Sequence, residues 1–444
     1  MKAPSDARRK AAFAICMLFC LAATPESPLP GPVAADVHES YRLLTGTYFE
    51  NVDPQSLLAA ASDALADAAR KHGATIVPPV LRVEPDNDAT MTELDDAIAS
   101  AADASHAPAT DFAYTVIDAM ARSVGDRYTQ FFTPDEFRAF NDALDPERIS
   151  GIGVMIAQDE GSGSVRISYV VPGTPAERSG LHVGDLLLAI DGNSTHGLTV
   201  EMASKLLRGK AGTVVAISVS RTGESNPIAY SIKREEVQPP TVVFRMLPGS
   251  IGYVYVMAFG KETPGEFDTA VDRLKEQGAR ALILDLRNDG GGYVDSALRI
   301  TSRFIANKAL VTVEERGRHA TTIQADNDTT VSLPVSVLVN QYTASASEIT
   351  AGALQDDGAG TLVGTKTFGK GVMQTLTPLP DGAAIKITTA HYLTPRRRDI
   401  NLRGIEPDVR VEESRDARLG EVDHDAQLHA AILLLQKKIA EVKP

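Results

Sequence analysis

Two long apolar strand patterns in the second half of the chain limit its fold most strongly. Ala281 to Leu286 is apolar except for Asp285, and Val335 to Asn340 is predicted to be a second buried strand. From Thr241 onward, helical patterns alternate with strands of this kind. Helices that alternate with strands cover the sheet the strands form, so residues 236–411 are predicted to be an α/β core.

The residues before this core divide into two further regions. Residues 36–147 carry helical patterns, interrupted at 73–110 by a stretch rich in Ala, Asp, Ser and Pro that is interpreted as an insertion without an assigned function. Residues 148–235 contain short β runs with glycines and one predicted helix, Val200 to Leu207, and are predicted to be a β domain. Gln238-Pro239-Pro240 follows as a linker, because the diproline continues neither a strand nor a helix.

The tail, residues 412–444, carries one apolar stripe. Leu428, Ile432, Leu435 and Ile439 recur at spacings of three to four residues. In a helix this spacing places all four on one face. The tail is therefore predicted to end in a helix that docks on the rest of the protein.

The first 35 residues have the composition of an export signal. Three basic residues at 8–10 precede thirteen apolar residues, Ala11 to Ala23, and Val33-Ala34-Ala35 offers a cleavage site. The apolar run is shorter than the ~20 residues that a membrane-spanning helix needs. We predict a cleaved signal over residues 1–35, with an uncleaved membrane anchor and a buried N-terminal helix as the alternatives.

Charge and cysteine content exclude several classes of protein. The chain has 58 acidic and 44 basic residues, a net charge of −14, and such a surface repels nucleic-acid phosphates. Cys16 and Cys20 both lie within the predicted signal, so the mature chain would contain no cysteine. A disulfide scaffold and a thiol protease are therefore excluded.

Ser345 lies where the second apolar strand gives way to a helical pattern. Backbone N–H groups at the start of a helix are unpaired and can stabilise a developing oxyanion, so Ser345 is a candidate nucleophile. Ser345 and Glu348 also have the spacing of a capping box, in which both side chains would only close the helix end. The two roles are compatible.

A serine nucleophile needs a base, and Lys370 is the strongest candidate. None of the nine histidines has a recognisable catalytic setting, whereas Lys370 is enclosed by Gly369 and Gly371. Enclosure lowers the pKa of a lysine from ~10.4 toward the 7–8 that a general base requires. The same segment fits the start of a phosphate loop, GTKTFGK, but Gly371 replaces the Ser or Thr that binds magnesium, which argues against nucleotide binding.

A third candidate segment, DLRNDGGG, follows the first apolar strand at 285–292. Three consecutive glycines allow backbone N–H groups to face a ligand. The ends of buried strands are where α/β proteins place their sites. An ordinary strand-to-helix turn is the alternative.

Together these segments resemble the carboxyl-terminal processing peptidases, or tail-specific proteases. The family motif Ser-Ala-Ser-Ala-Ser-Glu reads Thr343-Ala344-Ser345-Ala346-Ser347-Glu348 here, and FGKG follows with Lys370 at the family's spacing of 25 residues. The segments SVGDRYTQFFTPDEF, at 123–137, and GIEPDV, at 404–409, resemble further family signatures. The departures are Thr343 and the 73–110 insertion.

The resemblance implies the roles of the site residues. Ser345 is then the nucleophile, Lys370 the general base, and Gln374 the residue that orients the lysine. The backbone amides of Gly291 and Ala346 form the oxyanion hole, with Gly292 as a neighbour. For Glu348 the capping role is favoured.

The β domain resembles a PDZ module. The segments are GIGV, at 151–154, and PGTPAERSGLHVGDLLLAIDG, at 172–192. A PDZ domain binds a C-terminal peptide as an added strand and holds its carboxylate in backbone amides. Gly151, Ile152, Gly153 and Val154 would provide that loop and strand. A module that only spaces the other domains is the alternative.

The resemblance implies a multidomain α/β protein with a helical N-terminal segment, a PDZ-like domain and a protease core of the crotonase-like, ββα type. It predicts an exported serine endopeptidase, periplasmic or in the cell envelope, that cleaves proteins with free, apolar C-termini without a metal or cofactor. An activating adaptor protein and membrane association through the N-terminal segment are further expected partners, and nucleic acid is not. The competing hypotheses are a non-proteolytic binding protein on the same fold and a PDZ scaffold with a latent protease domain.

Overall fold

The computed structural model describes residues 28–74, 87–159, 163–325, 331–413 and 418–441. The apolar run of the predicted signal and residues 75–86 of the predicted insertion lie outside these ranges. Within them, no helix combines the length and apolar character needed to cross a membrane.

The N-terminal unit consists of five helices and one short strand. They are α1 (Gly31–Thr47), α2 (Pro54–Lys71), α3 (Asn87–Ser105), α4 (Ala109–Ser123), β1 (Gln130–Phe132) and α5 (Pro134–Leu144).

Two features of this unit differ from the sequence interpretation. The 73–110 region contains α3, whose Leu94 and Ile98 are fully buried in the helical core. The expected cleavage site lies inside α1, where Val33 and Ala34 are buried in the same core together with Leu29. Cleavage after Ala35 would remove these side chains from a packed interface.

The β unit, residues 149–237, is built around an antiparallel sheet. Its elements are β2 (Ile149–Gly151), β3 (Val154–Gln158), β4 (Val165–Val170), α6 (Pro175–Arg178), β5 (Leu186–Ile190), β6 (Asn193–Ser194), α7 (Val200–Leu207), β7 (Val214–Ser220), β8 (Ile228–Lys233) and β9 (Glu235–Val237). The sheet order is β3-β4-β5-β7-β8, with β6 beside β5, while β2 and β9 form a separate ribbon. Strand β3 is therefore an edge strand.

The remaining elements form the α/β core. They are β10 (Val242–Leu247), β11 (Ile251–Val256), α8 (Thr263–Glu276), β12 (Ala281–Asp285), α9 (Val294–Ser302), β13 (Ala309–Glu315), β14 (Thr321–Gln324), β15 (Val335–Val339), α10 (Ala346–Asp357), β16 (Thr361–Gly364), β17 (Val372–Pro378), β18 (Ala384–Leu393), β19 (Val409–Arg410) and α11 (Ala426–Glu441). The predicted multidomain α/β architecture is confirmed.

Two sheets organise this core. The main sheet has the order β10-β11-β12-β15-β16-β19 and is parallel from β11 onward. In the second sheet, β18 pairs with β17, β13 and β1, so the N-terminal unit contributes a strand to it. Ile385 and Ile387 of β18 are buried in the core of the N-terminal helices.

Helix α11 is the docking helix expected in the tail. Leu428 and Leu435 are fully buried against Ile251 and Ile283 of the main sheet. This face of the sheet is closed by the tail, and the opposite face is closed by α8, α9 and α10.

Arg287 joins the tail to the end of β12. Its side chain is fully buried, and its guanidinium donates hydrogen bonds to the carboxylates of Asp285, at 2.6 and 2.9 Å, and Asp425, at 2.7 and 2.8 Å. A buried ion pair is costly to break because the remaining charges stay in the interior.

We expect Arg287→Ala to lower the free energy of unfolding by about 3–5 kcal/mol, since it leaves two buried carboxylates unpaired. Urea denaturation followed by circular dichroism measures the loss. Arg410→Ala, which breaks an exposed pair with Glu412, is the control and should change little. Equal effects of the two substitutions would contradict the assigned role of Arg287.

Candidate active site

The parallel pairing of β12 and β15 brings two candidate segments together. Asp285 is opposite Leu338 in this pairing, so the chain leaves both strands at the same edge of the sheet. Beyond that edge, the Asn340 side chain accepts the Asn288 N–H at 3.1 Å, and the Ala344 N–H donates to the Asp289 carbonyl at 3.0 Å. The glycine-rich segment therefore lies directly beside Ser345.

Ser345 occupies a sharp turn at the start of α10. Its φ of 58° and ψ of −118° are unusual for a residue with a side chain. Gly291 makes the turn possible, because a Cβ on Gly291 would lie 2.8 Å from the Ala344 carbonyl oxygen and 2.9 Å from Ser345 Cβ. Backbone strain of this kind is concentrated at functional sites.

The Lys370 loop follows β16 and is packed tightly against residues 400–404. A Cβ on Gly369 would lie 2.7 Å from the Gly404 nitrogen, and one on Gly371 would lie 2.7 Å from the Asn401 nitrogen. The two glycines therefore allow the close backbone approach inferred from the sequence. Burial of the Lys370 side chain lowers the pKa of its amine, while the negative charges of Asp126 and Glu348 oppose that shift.

The Glu348 carboxylate connects the nucleophile segment with the lysine loop. Its Oε2 accepts the backbone N–H groups of Ser345, at 3.1 Å, and Lys370, at 2.8 Å. Its Oε1 accepts the Thr367 hydroxyl, at 2.5 Å, and the Gly369 N–H, at 2.8 Å. Burial raises the pKa of Glu348, and these four hydrogen bonds act in the opposite direction. Glu348 thus does more than close the helix end.

Tyr392 forms a second connection between the same segments. Its hydroxyl lies within hydrogen-bonding distance of two carbonyl oxygens, that of Ser345 at 3.1 Å and that of Lys370 at 2.5 Å. The ring is almost fully buried, and burial raises the pKa of the hydroxyl well above its usual value. The sequence pattern contained no signal for this tyrosine.

The side chains of Ser345 and Lys370 are not joined: although both residues are described, no hydrogen bond links Ser345 Oγ to Lys370 Nζ. The amine instead lies 4.9 Å from the centre of the Tyr128 ring. Gln374, expected to orient the lysine, donates from Nε2 to Thr388 Oγ1 at 3.3 Å. The Lys370 amine and the Gln374 amide thus have neighbours other than those expected from the sequence.

The expected oxyanion donors differ in their availability. The Gly291 N–H donates to Asp289 Oδ1 at 2.8 Å, so this expected donor is occupied. Ala346 is the first residue of α10, where no helix carbonyl can accept its N–H. Gly292 is half-buried beside them.

Asp289 is a functional candidate that the sequence analysis missed. Burial raises the pKa of its carboxyl to about 7, and within the described part of the chain its Oδ2 is buried without a hydrogen-bond partner. Its Oδ1 is the acceptor of the Gly291 N–H, so the state of this carboxyl decides whether that N–H is free.

The β unit has an open groove at the residues expected to bind a peptide terminus. Ile152 and Val154 line one wall together with Ile156 on the edge strand β3, and Leu207 on α7 lines the other. Gly153 has a φ of 86°, and a Cβ there would overlap Thr174. The linker residues 238–240 reach the same groove.

Comparison with known proteins identifies the two main units. Residues 250–411 match the family model of peptidase family S41, and residues 143–220 match that of the PDZ domain.

Similar proteins include named proteases. The carboxyl-terminal-processing protease of Synechocystis sp. is 36% identical over 304 residues, which cover 68% of this chain and 71% of that protein. The probable CtpA-like serine protease of Staphylococcus saprophyticus is 33% identical over 302 residues, 67% of this chain and 60% of that protein, so the chain spans about three fifths of this relative's length. The solved structure of a photosystem II D1 C-terminal processing protease is 26% identical, with a TM-score of 0.47 and coverage of 92% of this chain and 98% of that one.

We expect Glu348→Ala to loosen the connection between the nucleophile segment and the lysine loop. Hydrogen–deuterium exchange read by mass spectrometry should show faster exchange at the N–H groups of Ser345, Gly369 and Lys370, because each loses its acceptor. Glu406→Ala, at an exposed ion pair with Lys366, is the control. Unchanged protection at the three amides in Glu348→Ala would refute the connecting role.

Proposed function

The chain belongs to peptidase family S41, and on this premise we propose that it is an exported serine endopeptidase that selects substrates by their C-terminal tails. The observation that carries the proposal is the Glu348 carboxylate, which holds the backbones of Ser345 and Lys370 together. The lowered pKa of the Lys370 amine supports its role as the base.

In the proposed reaction, Ser345 Oγ attacks the carbonyl carbon of the scissile peptide bond while neutral Lys370 takes the hydroxyl proton. The tetrahedral oxyanion is stabilised by backbone N–H groups, that of Ala346 and that of Gly291 once it leaves Asp289. Lys370 then protonates the leaving amine, the C–N bond breaks, and the acyl group remains on Ser345. Water activated by Lys370 hydrolyses this ester and regenerates the serine.

The PDZ domain supplies the proposed selection of tails. A substrate tail would add to the edge strand β3, with its carboxylate at residues 151–153 and its apolar side chains against Ile156 and Leu207. Strand addition satisfies backbone groups in any sequence, so discrimination rests on the terminus and on the side chains that enter the groove.

Export follows from the predicted N-terminal signal. Because Leu29, Val33 and Ala34 are buried, we place signal cleavage before Leu29 rather than after Ala35. The mature enzyme would then act in the periplasm or cell envelope. Activation by an adaptor protein is a further part of this proposal, and retention at the membrane is the alternative outcome in which the N-terminal segment stays uncleaved.

Ser345→Ala and Lys370→Ala should each reduce peptide cleavage by more than about a thousandfold without unfolding the protein, since both act in one step. Ser347→Ala is the matched control: Ser347 is fully buried and donates to the Asp289 carbonyl, so substantial activity should remain. Cleavage of a peptide ending in apolar residues, read by mass spectrometry, measures all three. Loss of activity in Ser347→Ala with retention in Ser345→Ala would reverse the assignment.

Amidation of a substrate's C-terminus should lower kcat/KM by about tenfold or more, although the scissile bond lies upstream, because a hydrogen-bonded carboxylate is lost from the groove. The comparison uses one peptide in its free-acid and amide forms. A third form with Asp as the last residue tests the apolar requirement. Equal rates for the acid and the amide would refute tail recognition and leave the roles of Ser345 and Lys370 untouched.

A further inference from the structure

A loop of the N-terminal unit reaches the candidate base. The 125–129 loop joins α4 to β1, and its Tyr128 ring lies 4.9 Å from Lys370 Nζ. The Arg127 guanidinium lies 4.8 Å from the Tyr128 ring and 5.3 Å from that of Phe368, two residues before Lys370. The loop therefore contacts the lysine loop at its reactive side chain.

Asp126 fixes this loop to the second sheet of the core. Its carboxylate accepts the Tyr128 N–H at 3.0 Å, the Thr129 hydroxyl at 2.9 Å and the hydroxyl of Thr388 on β18. The Thr388 hydroxyl also accepts a hydrogen bond from Gln374, at 3.3 Å. The residue expected to orient Lys370 is thus connected to Asp126 through one hydroxyl group.

The loop presents charges of both signs to Lys370. Burial lowers the pKa of the Lys370 amine; the carboxylate of Asp126 opposes this shift and the guanidinium of Arg127 adds to it. Glu348 on α10 also opposes the lowering of the Lys370 pKa. On β18, burial and repulsion by Lys370 together lower the pKa of Lys386 to about 8. The aromatic face of Tyr128 also favours the cationic amine.

We propose that the 125–129 loop is part of the active site, where Asp126 and Tyr128 hold the Lys370 amine as a cation away from Ser345. Asp126 is then a positioning residue that acts through Lys370. The base reaches Ser345 when its proton leaves for solvent and the attraction to the loop is lost. This inference rests on the proposed function, in which Lys370 is the base.

The test compares two neighbouring substitutions that change the local charge in opposite directions. Asp126→Asn removes the attraction between the carboxylate and the Lys370 ammonium. In the pH profile of kcat/KM, the acidic limb should therefore move to lower pH by about half a unit or more. Arg127→Gln removes a repulsion and should move it to higher pH, by less because Arg127 is exposed. Asp126→Glu keeps the charge and should return the limb toward that of the unsubstituted protein.

A second measurement does not depend on cleavage. In the Ser345→Ala background, the rate of Lys370 acetylation by acetic anhydride is followed against pH by mass spectrometry. The midpoint of this pH dependence should shift to lower pH in Asp126→Asn and to higher pH in Arg127→Gln. Midpoints that stay unchanged, or that move in the same direction in Asp126→Asn and Arg127→Gln, would overturn the inference. Failure of the proposed function is distinguishable, because it would appear as cleavage that survives Ser345→Ala.

Discussion

The site depends on one buried carboxylate. Glu348 lies in the first turn of α10 and accepts hydrogen bonds from that turn and from the loop that carries Lys370. A carboxylate has enough lone pairs to bind four donors at once, and leaving those donors unpaired in the interior would cost free energy. The backbones of the serine and the lysine therefore lie side by side although 25 residues separate them in sequence.

The main sheet supplies the second constraint. Because β12 and β15 are parallel neighbours, the glycine-rich segment and the serine turn leave the sheet at the same edge. Arg287, near the start of the glycine-rich segment, binds Asp425 in the tail. The glycine-rich segment thus begins at the same buried network that holds the C-terminal helix in place.

The sequence predicted those parts of the site that depend on local pattern. Ser345 at a strand-to-helix boundary and the glycines around Lys370 leave a signal in a few consecutive residues. Asp126 lies in a segment that the sequence singled out by resemblance, but its charge interaction with Lys370 could not be predicted, because 244 residues separate the two. Tyr392 left no signal, since its role comes from hydrogen bonds to the Ser345 and Lys370 carbonyls. Helix α3 was missed because its alanine-rich, acidic composition resembles that of a polar insertion.

Nucleophilic catalysis by Ser345 is the central claim, and trapping the covalent intermediate tests it most directly. Acid quenching during turnover of a peptide substrate, followed by proteolytic mapping and mass spectrometry, locates the acyl group. The account predicts one adduct, with the mass of the N-terminal product, on the fragment carrying Ser345 and absent from Ser345→Ala. Cleavage that proceeds without an adduct under conditions that trap other serine acyl-enzymes, or an adduct on Ser347, would contradict it.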